Sequence, residues 1–457
     1  MKFQLLFISV LFWSTWTSAN VKKLYTQHCQ VCHGDKGQGG LGSSLVDRVW
    51  VHGGTDEEQA AIIANGLPEL GMQGFGDILT EKEIRSLVIY MQELELRADP
   101  AKAPPMQAGT FRTQHQTFRV EELLKNPERM WGVSFLPDGR KIVSEFDGPV
   151  RILEADGTLQ PPLEGTPHSV RRGQGGMLDV AVHPHYEENG WIYLAYADGV
   201  STSCITSVVR GRIRGNRWVD TEIIFQADEK YRSGSGVHFG SRIVFHDGYV
   251  FFAIGDRGAQ NLAQDLNRPN GKIFRLHDDG RIPTDNPFVG KSSLPAIWSM
   301  GHRNPQALAF RPGTDELWST EHGPRGGDEL NRIFPGRNYG WPTVTYGMNY
   351  NGTPITEYTS LPGMEDPVWH WTPSIATCGM AFADSAIYPG WQGDLLVGGL
   401  KAQLIERLRI TPEGIVEREV ILKDQGRVRD IKTGPDGFLY VILEGKGSRL
   451  VRLVPAT

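Results

Sequence analysis

Six times between residues 131 and 444 the chain returns to one short pattern: a small or polar residue, alternating apolar residues, a turn, then a strongly apolar strand. The copies begin near Trp131 (WGVSFLPDGRKIVSE), Leu178, Ser241, Gln306 (QALAFRPGTDELWSTE), Cys378 and Arg429, at spacings of 47, 63, 65, 72 and 51 residues. A period of two puts the apolar side chains on one face of a strand, so each copy is a β-hairpin with added strands. Six self-similar units favour a closed ring over an open sandwich, because a ring leaves fewer free strand edges. The expected fold of residues 117–457 is therefore all-β, a six-bladed propeller. The last copy has room for about three strands before Thr457, so an early strand around Phe118–Leu124 is expected to supply the fourth and close the ring. Turn chemistry agrees: 54 Gly and 28 Pro make 82 of 457 residues, about 18%, against roughly 12% in average proteins.

The first hundred residues follow other rules. Lys2, the apolar stretch Phe3–Trp16 and the small residues Thr17, Ser18 and Ala19 predict an export signal over residues 1–19. That stretch is shorter than the roughly 20 apolar residues of a membrane span, and no later segment is long and apolar enough to span. The protein is thus expected in the periplasm, with a net charge moving from -6 to -7 once Lys2 is lost. Next comes Cys29-Gln30-Val31-Cys32-His33, and in an exported chain CxxCH is the attachment motif of haem c. Cys29 and Cys32 would form the thioethers and His33 would be the proximal iron ligand. A zinc half-site would need two further Cys or His at matching spacing, and none is convincing. Met72, in the loop Gly71–Gly76, is the expected sixth ligand. Its rival Met91 falls in line with Ile84, Leu87 and Val88 on the core face of a helix opened by a Thr80/Glu83 capping box. Residues 20–97 resemble a small all-α cytochrome c, and the Pro-, Ala- and Gln-rich stretch 98–116 reads as a linker.

Polar residues that interrupt the blade pattern mark a site. They include Val237–Arg242, Gly301–Gln306, Glu321–Glu329, Asn338–Pro342, Lys401 and Gly426–Asp430. Equivalent repeat positions gather at one mouth of a propeller. Four cations there, Arg303, Lys401, Arg427 and Arg429, would repel one another without an anion between them, so a polyanionic ligand is expected. No basic segment of the kind that neutralises nucleic-acid phosphates is present.

These residues together resemble the soluble sugar dehydrogenases that depend on pyrroloquinoline quinone (PQQ), including the sorbosone dehydrogenase-like branch. The likeness rests on Gly173–Gly176, His238 with Arg242, Gly255-Asp256, His302–Gln306, Gly323-Pro324, Asp328-Glu329, Asn338–Pro342, Lys401 and Arg427–Asp430, and covers nearly all of residues 117–457. It implies a six-bladed propeller and a tricarboxylate quinone that would answer the cations. It implies His238 as the base that deprotonates the anomeric hydroxyl, Arg303 as the charge stabiliser, and Gln174 and Asp256 as residues orienting substrate and base. Asn304, Thr345, Gly399, Leu400, Lys401, Arg427, Val428 and Arg429, with Gln174 and Arg303, match cofactor contacts. Calcium (Ca2+) would be held by main-chain carbonyls near Gly323 and Pro324, and a second, structural ion by Glu329 and Tyr339. One departure stands out: His322 replaces the family's glutamine before Gly-Pro, followed by Arg325-Gly326-Gly327, in a loop expected to border the pocket, so the resemblance does not fix the substrate preference.

The fusion implies a quinohaemoprotein that oxidises aldose sugars to lactones and passes electrons through haem c to an external carrier. Two other classes fit parts of the sequence. A calcium-dependent propeller lactonase would need an acidic pocket, and a non-enzymatic electron-transfer module would leave His238 and the cations without purpose. Cys204 and Cys378 are expected to be buried thiols, with a disulfide between them left open.

Overall fold

Each repeat becomes an antiparallel sheet, and the six sheets form a ring. The structure, a computed structural model, describes residues 20–99, 104, 106–107 and 109–456; the expected export signal over residues 1–19 lies outside the described residues. The inner strands are Met130–Phe135, Met177–Val182, Ile243–His246, Pro305–Phe310, Thr377–Ala383 and Arg427–Thr433. Each touches the next, and the sixth returns to the first. This is the six-bladed propeller that the repeats predict. The ring closes where expected: Thr117–Asn126 pairs antiparallel with Gly447–Pro455, so the last blade takes its outer strand from the beginning of the domain. The first blade has only three strands.

The stretch 98–116 departs from a plain linker. Thr110–Arg112 pairs with Thr117–Asn126, and Met106–Gln107 pairs with Thr110–Arg112, so the sixth sheet has six strands. The Pro and Gln content of this stretch concealed strands that only an existing sheet edge could recruit.

Apolar faces fill the space between blades. Phe118, Tyr388 and Trp391 pack between the fifth and sixth, and Tyr193, Phe252 and Phe274 between the second and third. The centre of the ring is polar instead. Arg242 is fully buried, lies 3.1 Å from both Asp179 and Asp430, and donates to the carbonyls of Gln306 and Arg429. Its guanidinium also stacks 4.1 Å from the ring centroid of Trp131. One side chain thereby ties together inner strands from five blades. Cys204 and Cys378 are both buried and free; Cys378 donates its thiol proton to the carbonyl of Arg429, 3.0 Å away.

The N-terminal domain contains α1 (Val21–His28), α2 (Gln30–His33), α3 (Asp56–Asn65) and α4 (Glu81–Ala98). Thr80 and Glu83 form the expected capping box, and Thr55 with Glu58 forms a second one that starts α3. Ile84, Leu87, Val88 and Met91 are buried in the core of this domain, which places Met91 as packing. That core also contains Met348, a propeller residue with no exposed surface.

Candidate functional site

His238 sits immediately before the inner strand of the third blade with φ +54°, a left-handed conformation rare for a non-glycine residue. Its surroundings hold it there. The backbone N–H of His238 donates to Gln174 Oε1 at 2.7 Å, and the N–H of Gln174 donates to the carbonyl of Gly236 at 2.6 Å. The approach needs glycine at 173: φ is +58° there, and a Cβ would lie 2.2 Å from the Gly236 oxygen. Gln174 thus positions the backbone of the candidate base.

Asp256 follows the second strand of the same blade and is wholly buried. Its Oδ1 lies 2.6 Å from His238 Nδ1 and accepts from the Gly258 N–H at 2.6 Å, while Oδ2 accepts from Trp341 Nε1 at 2.8 Å. Burial alone would raise this carboxyl, but the His238 bond and the other donors bring it below the usual carboxylate range. An ionised carboxylate only accepts, so His238 Nδ1 carries the proton and Nε2 is left as the basic nitrogen. Burial, together with the nearby charge of Arg303, pushes the imidazole below its ordinary value and keeps it neutral near pH 7.

Arg303 completes the group. Its Nη1 donates to the carbonyls of His322 at 2.9 Å and Gly323 at 2.7 Å, its guanidinium lies 5.3 Å from the ring centroid of Trp341, and its Nε has no hydrogen-bond partner. Glu321 fixes this segment: one oxygen accepts from the backbone N–H groups of Arg303 and Asn304, and the other lies 3.0 Å from His302 Nδ1. Asn304 Oδ1 accepts from the Gly240 N–H and from Gln306 Nε2, linking the third and fourth blades. His322 is pushed down to about 3 by burial and by Arg303, and its Nε2 is unpartnered. Glu321 received no role from the sequence, although its place directly before His322 put it at the site.

The cation ring needs correction. Glu444 lies 2.6 Å from Arg429 and 3.5 Å from Arg427, so one carboxylate serves both. The mutual repulsion expected of four cations is therefore partly answered within the protein. Lys401 is exposed and makes no ion pair among the described residues. Gly399, Leu400 and Val428 are buried, with the Leu400 N–H donating to the carbonyl of Ala376. Thr345 is buried too, at the junction with the other domain, where Arg85 Nη2 donates to its carbonyl at 3.5 Å.

The two expected calcium positions differ. At the first, Arg303 already donates to the Gly323 carbonyl and Ser374 Oγ to the Pro324 carbonyl at 3.3 Å. A guanidinium 2.7 Å from the Gly323 carbonyl takes one of its two lone pairs, so these carbonyls are less open to an ion than the donors of the second position. At the second, burial and the neighbouring Glu321 hold the Glu329 carboxyl well above its usual range, and Asn331 Oδ1 is buried without a partner. Such a carboxylate and a free amide oxygen suit a hard cation. The hydroxyl of Tyr339 is taken: it donates to the Arg332 carbonyl at 2.6 Å and accepts from the Phe334 N–H at 2.8 Å. Only the main chain of Tyr339 remains for a metal.

In the helical domain His33 Nδ1 lies 2.8 Å from the carbonyl of Ser43 and donates to it, which leaves Nε2 free for iron. Cys32 is exposed and Cys29 half-buried, its thiol pushed up to about 11 by burial. Met72 pairs with Leu67 across a tight antiparallel bridge and packs on the core. Val31, Leu41, Val49, Val51, Leu70 and Ile78 are exposed apolar residues of this domain.

Arg325 corrects the reading of its loop. It forms no part of the His238 group; Arg325 turns away to Glu93 of α4, and Gly326 packs close to Ile89 of the same helix. The basic and small residues after Pro324 thus serve the junction between domains.

The Glucose / Sorbosone dehydrogenase family model matches residues 124–452. The chain is a member of that family. A second model, Cytochrome C oxidase, cbb3-type, subunit III, matches residues 17–91. The aldose sugar dehydrogenase YliI of Escherichia coli (strain K12) is 40% identical over 348 residues, covering 74% of this chain and 93% of that protein. The crystal structure of the soluble aldose sugar dehydrogenase from Escherichia coli in the apo-form is 38% identical with a TM-score of 0.70, covering 74% of this chain and 100% of that one. The PQQ-bound form of aldose sugar dehydrogenase from Streptomyces coelicolor is 25% identical with a TM-score of 0.60, covering 78% and 100%. The family match ends short of the helical domain, which this member carries in addition.

Proposed function

We propose that this family member is a periplasmic quinohaemoprotein that oxidises aldose sugars at the anomeric carbon to lactones and delivers the electrons to haem c and then to an external carrier. The observation that carries the reading is the His238–Asp256 pair, 2.6 Å apart, with its carboxylate wholly buried and Arg303 beside it. When bound, PQQ supplies a two-electron hydride acceptor, and haem c supplies a one-electron acceptor. The PQQ-bound relative supports the first, and the CxxCH helix within the cytochrome-like region supports the second. Calcium is proposed only at Glu329, where the donor set suits it.

His238 Nε2 takes the proton of the anomeric hydroxyl, and Asp256 holds the opposite nitrogen and stabilises the imidazolium. Arg303, with an uncommitted Nε–H, places positive charge where negative charge develops during oxidation. Arg303, Lys401, Arg427 and Arg429 suit the carboxylates of the quinone. Cys29 and Cys32 would hold the haem, and His33 and Met72 would be the residues that bind its iron. A lactonase would need an acidic pocket, whereas here the Arg303 guanidinium stands beside a neutral His238.

The test is to load the purified protein with PQQ and calcium, add aldoses, and record the haem absorption bands. Reduction of the haem with a lactone as product is the expected result. No haem reduction with any aldose, or oxidation of sugar that survives His238→Gln, would overturn the reading.

A further inference from the structure

Trp341 received no role from the sequence beyond its place in the Asn338–Pro342 motif, yet it touches both halves of the candidate chemistry. Its Nε1–H supplies the hydrogen bond to Asp256 Oδ2 at 2.8 Å, and its ring face carries the Arg303 guanidinium 5.3 Å from the centroid. The residue is itself pinned. Its backbone N–H donates to the Gly301 carbonyl at 2.9 Å, its carbonyl accepts from Gln264 Nε2 at 2.8 Å, and the side chain is buried. Gly301 opens the segment that contains Arg303, so the same anchor sets the indole relative to the arginine.

A carboxylate held at one oxygen can turn about its Cβ–Cγ bond; held at both, it cannot. Asp256 Oδ1 is held by His238 and Gly258, and Oδ2 by Trp341. The direction of the His238 Nδ1–H bond, and with it the aim of Nε2, depends on that second restraint. We propose that Trp341 is a positioning residue for the reaction, holding Asp256 and through it His238, while its ring keeps Arg303 beside them. This rests on the reading of His238 as the base.

The charged and titratable groups facing His238 are Asp256, Arg303, Arg257 and His322. Against that fixed background, removing a neutral donor from Asp256 makes the carboxylate more basic, so it holds an imidazolium more tightly. The direction for His238 is therefore upward.

The experiment uses the full chain carrying Trp341→Phe, which keeps an aromatic face for Arg303 and removes the N–H. The expected result is a fall in kcat of about tenfold, equivalent to about 1.4 kcal/mol, with KM changed by less than about twofold. The acid limb of kcat/KM should move to higher pH, and the His238 titration followed by NMR without sugar should move the same way. Wild-type kcat with an unmoved His238 titration would overturn the proposal. If Trp341→Phe does not fold, Gln264→Leu, which loosens the anchor of Trp341, should shift the titration in the same direction by less; no shift would overturn it. His238→Gln separates the two levels. If that variant still oxidises sugar, the reading of the base fails; if it is inactive while Trp341→Phe behaves as wild type, only the positioning role fails.

Discussion

Arg325 of the propeller grips Glu93 of α4 through two parallel hydrogen bonds, Nε to Oε1 at 2.7 Å and Nη2 to Oε2 at 2.6 Å. This planar, bidentate pairing is specific to arginine. It belongs to a wider contact. Met348 enters the core of the helical domain, Lys82 pairs with Glu357 at 3.1 Å, the Arg85 guanidinium lies 5.5 Å from the Tyr346 ring, and the Val21 N–H donates to the Gly352 carbonyl. The loop from Gly323 to Gly327 therefore joins the candidate site to the helical domain.

Breaking this grip should separate the domains without harming the propeller. Glu93→Gln leaves Arg325 partly buried and uncompensated, and Met348→Ala opens a cavity whose cost is about 2–5 kcal/mol when fully buried. Both variants should split a single calorimetric transition into two. Sugar oxidation coupled to a small dye should stay near wild type while haem reduction slows. An unchanged single transition in both variants would show that the contact contributes little.

The imidazole of His238 must be neutral to accept a proton, and its value lies below the ordinary 6.5 because of burial and Arg303. Activity should therefore be flat near pH 7 and fall only as pH drops through that lowered value. The same shift bears on stability: a histidine that resists protonation in the fold favours unfolding progressively as pH falls below about 6.5. His238→Gln should lose about 10²–10⁴-fold in kcat/KM together with the acid limb. A pH–rate profile of the two proteins checks both statements.

Arg242 pairs with both Asp179 and Asp430 at the centre of the ring, and Lys432 lies 4.0 Å from Asp179. Arg242→Met leaves Asp430 buried without its ion-pair partner and Asp179 with Lys432 alone, and breaking a buried pair typically costs about 3–5 kcal/mol. Urea unfolding should show a lower midpoint with an unchanged slope. Adding Asp179→Asn and Asp430→Asn to the same chain should recover much of the loss.

Glu329 is the residue on which calcium should act. A cation held only by the folded state stabilises it by about 2.7 kcal/mol at a hundredfold excess over Kd. Thermal unfolding should therefore move up with added calcium and down with a chelator. Glu329→Gln should abolish the response while leaving the His238 group intact. A variant that still responds would place the ion elsewhere.

How much of this was legible beforehand depended on the range of the interaction. The blades, the closing strand and the Thr80–Glu83 cap follow from periodicity and local hydrogen bonding, which act over a few residues. The strands at Met106–Gln107 and Thr110–Arg112 form on the edge of a sheet whose other strands lie mostly at the far end of the chain, so local composition concealed them. At the site, His238, Asp256, Gln174 and Arg303 were named from their motifs and are linked by the fold. Glu444 and Trp341 were not assigned roles, because Glu444 meets its arginines through the register of a hairpin and Trp341 meets Asp256 only where neighbouring blades pack.

The amino-acid sequence by itself determined that this protein has six repeated hairpin units, a CxxCH helix and a set of polar residues at the repeat junctions. Short-range periodicity and motif spacing carry that information. Tertiary structure decided the rest: which carboxylate answers which cation, that Arg325 serves the domain junction, and that Trp341 stands between Asp256 and Arg303. These relationships join residues tens to hundreds of positions apart. Their energies depend on burial and on angles of approach, and only the closed ring with its docked helical domain defines those.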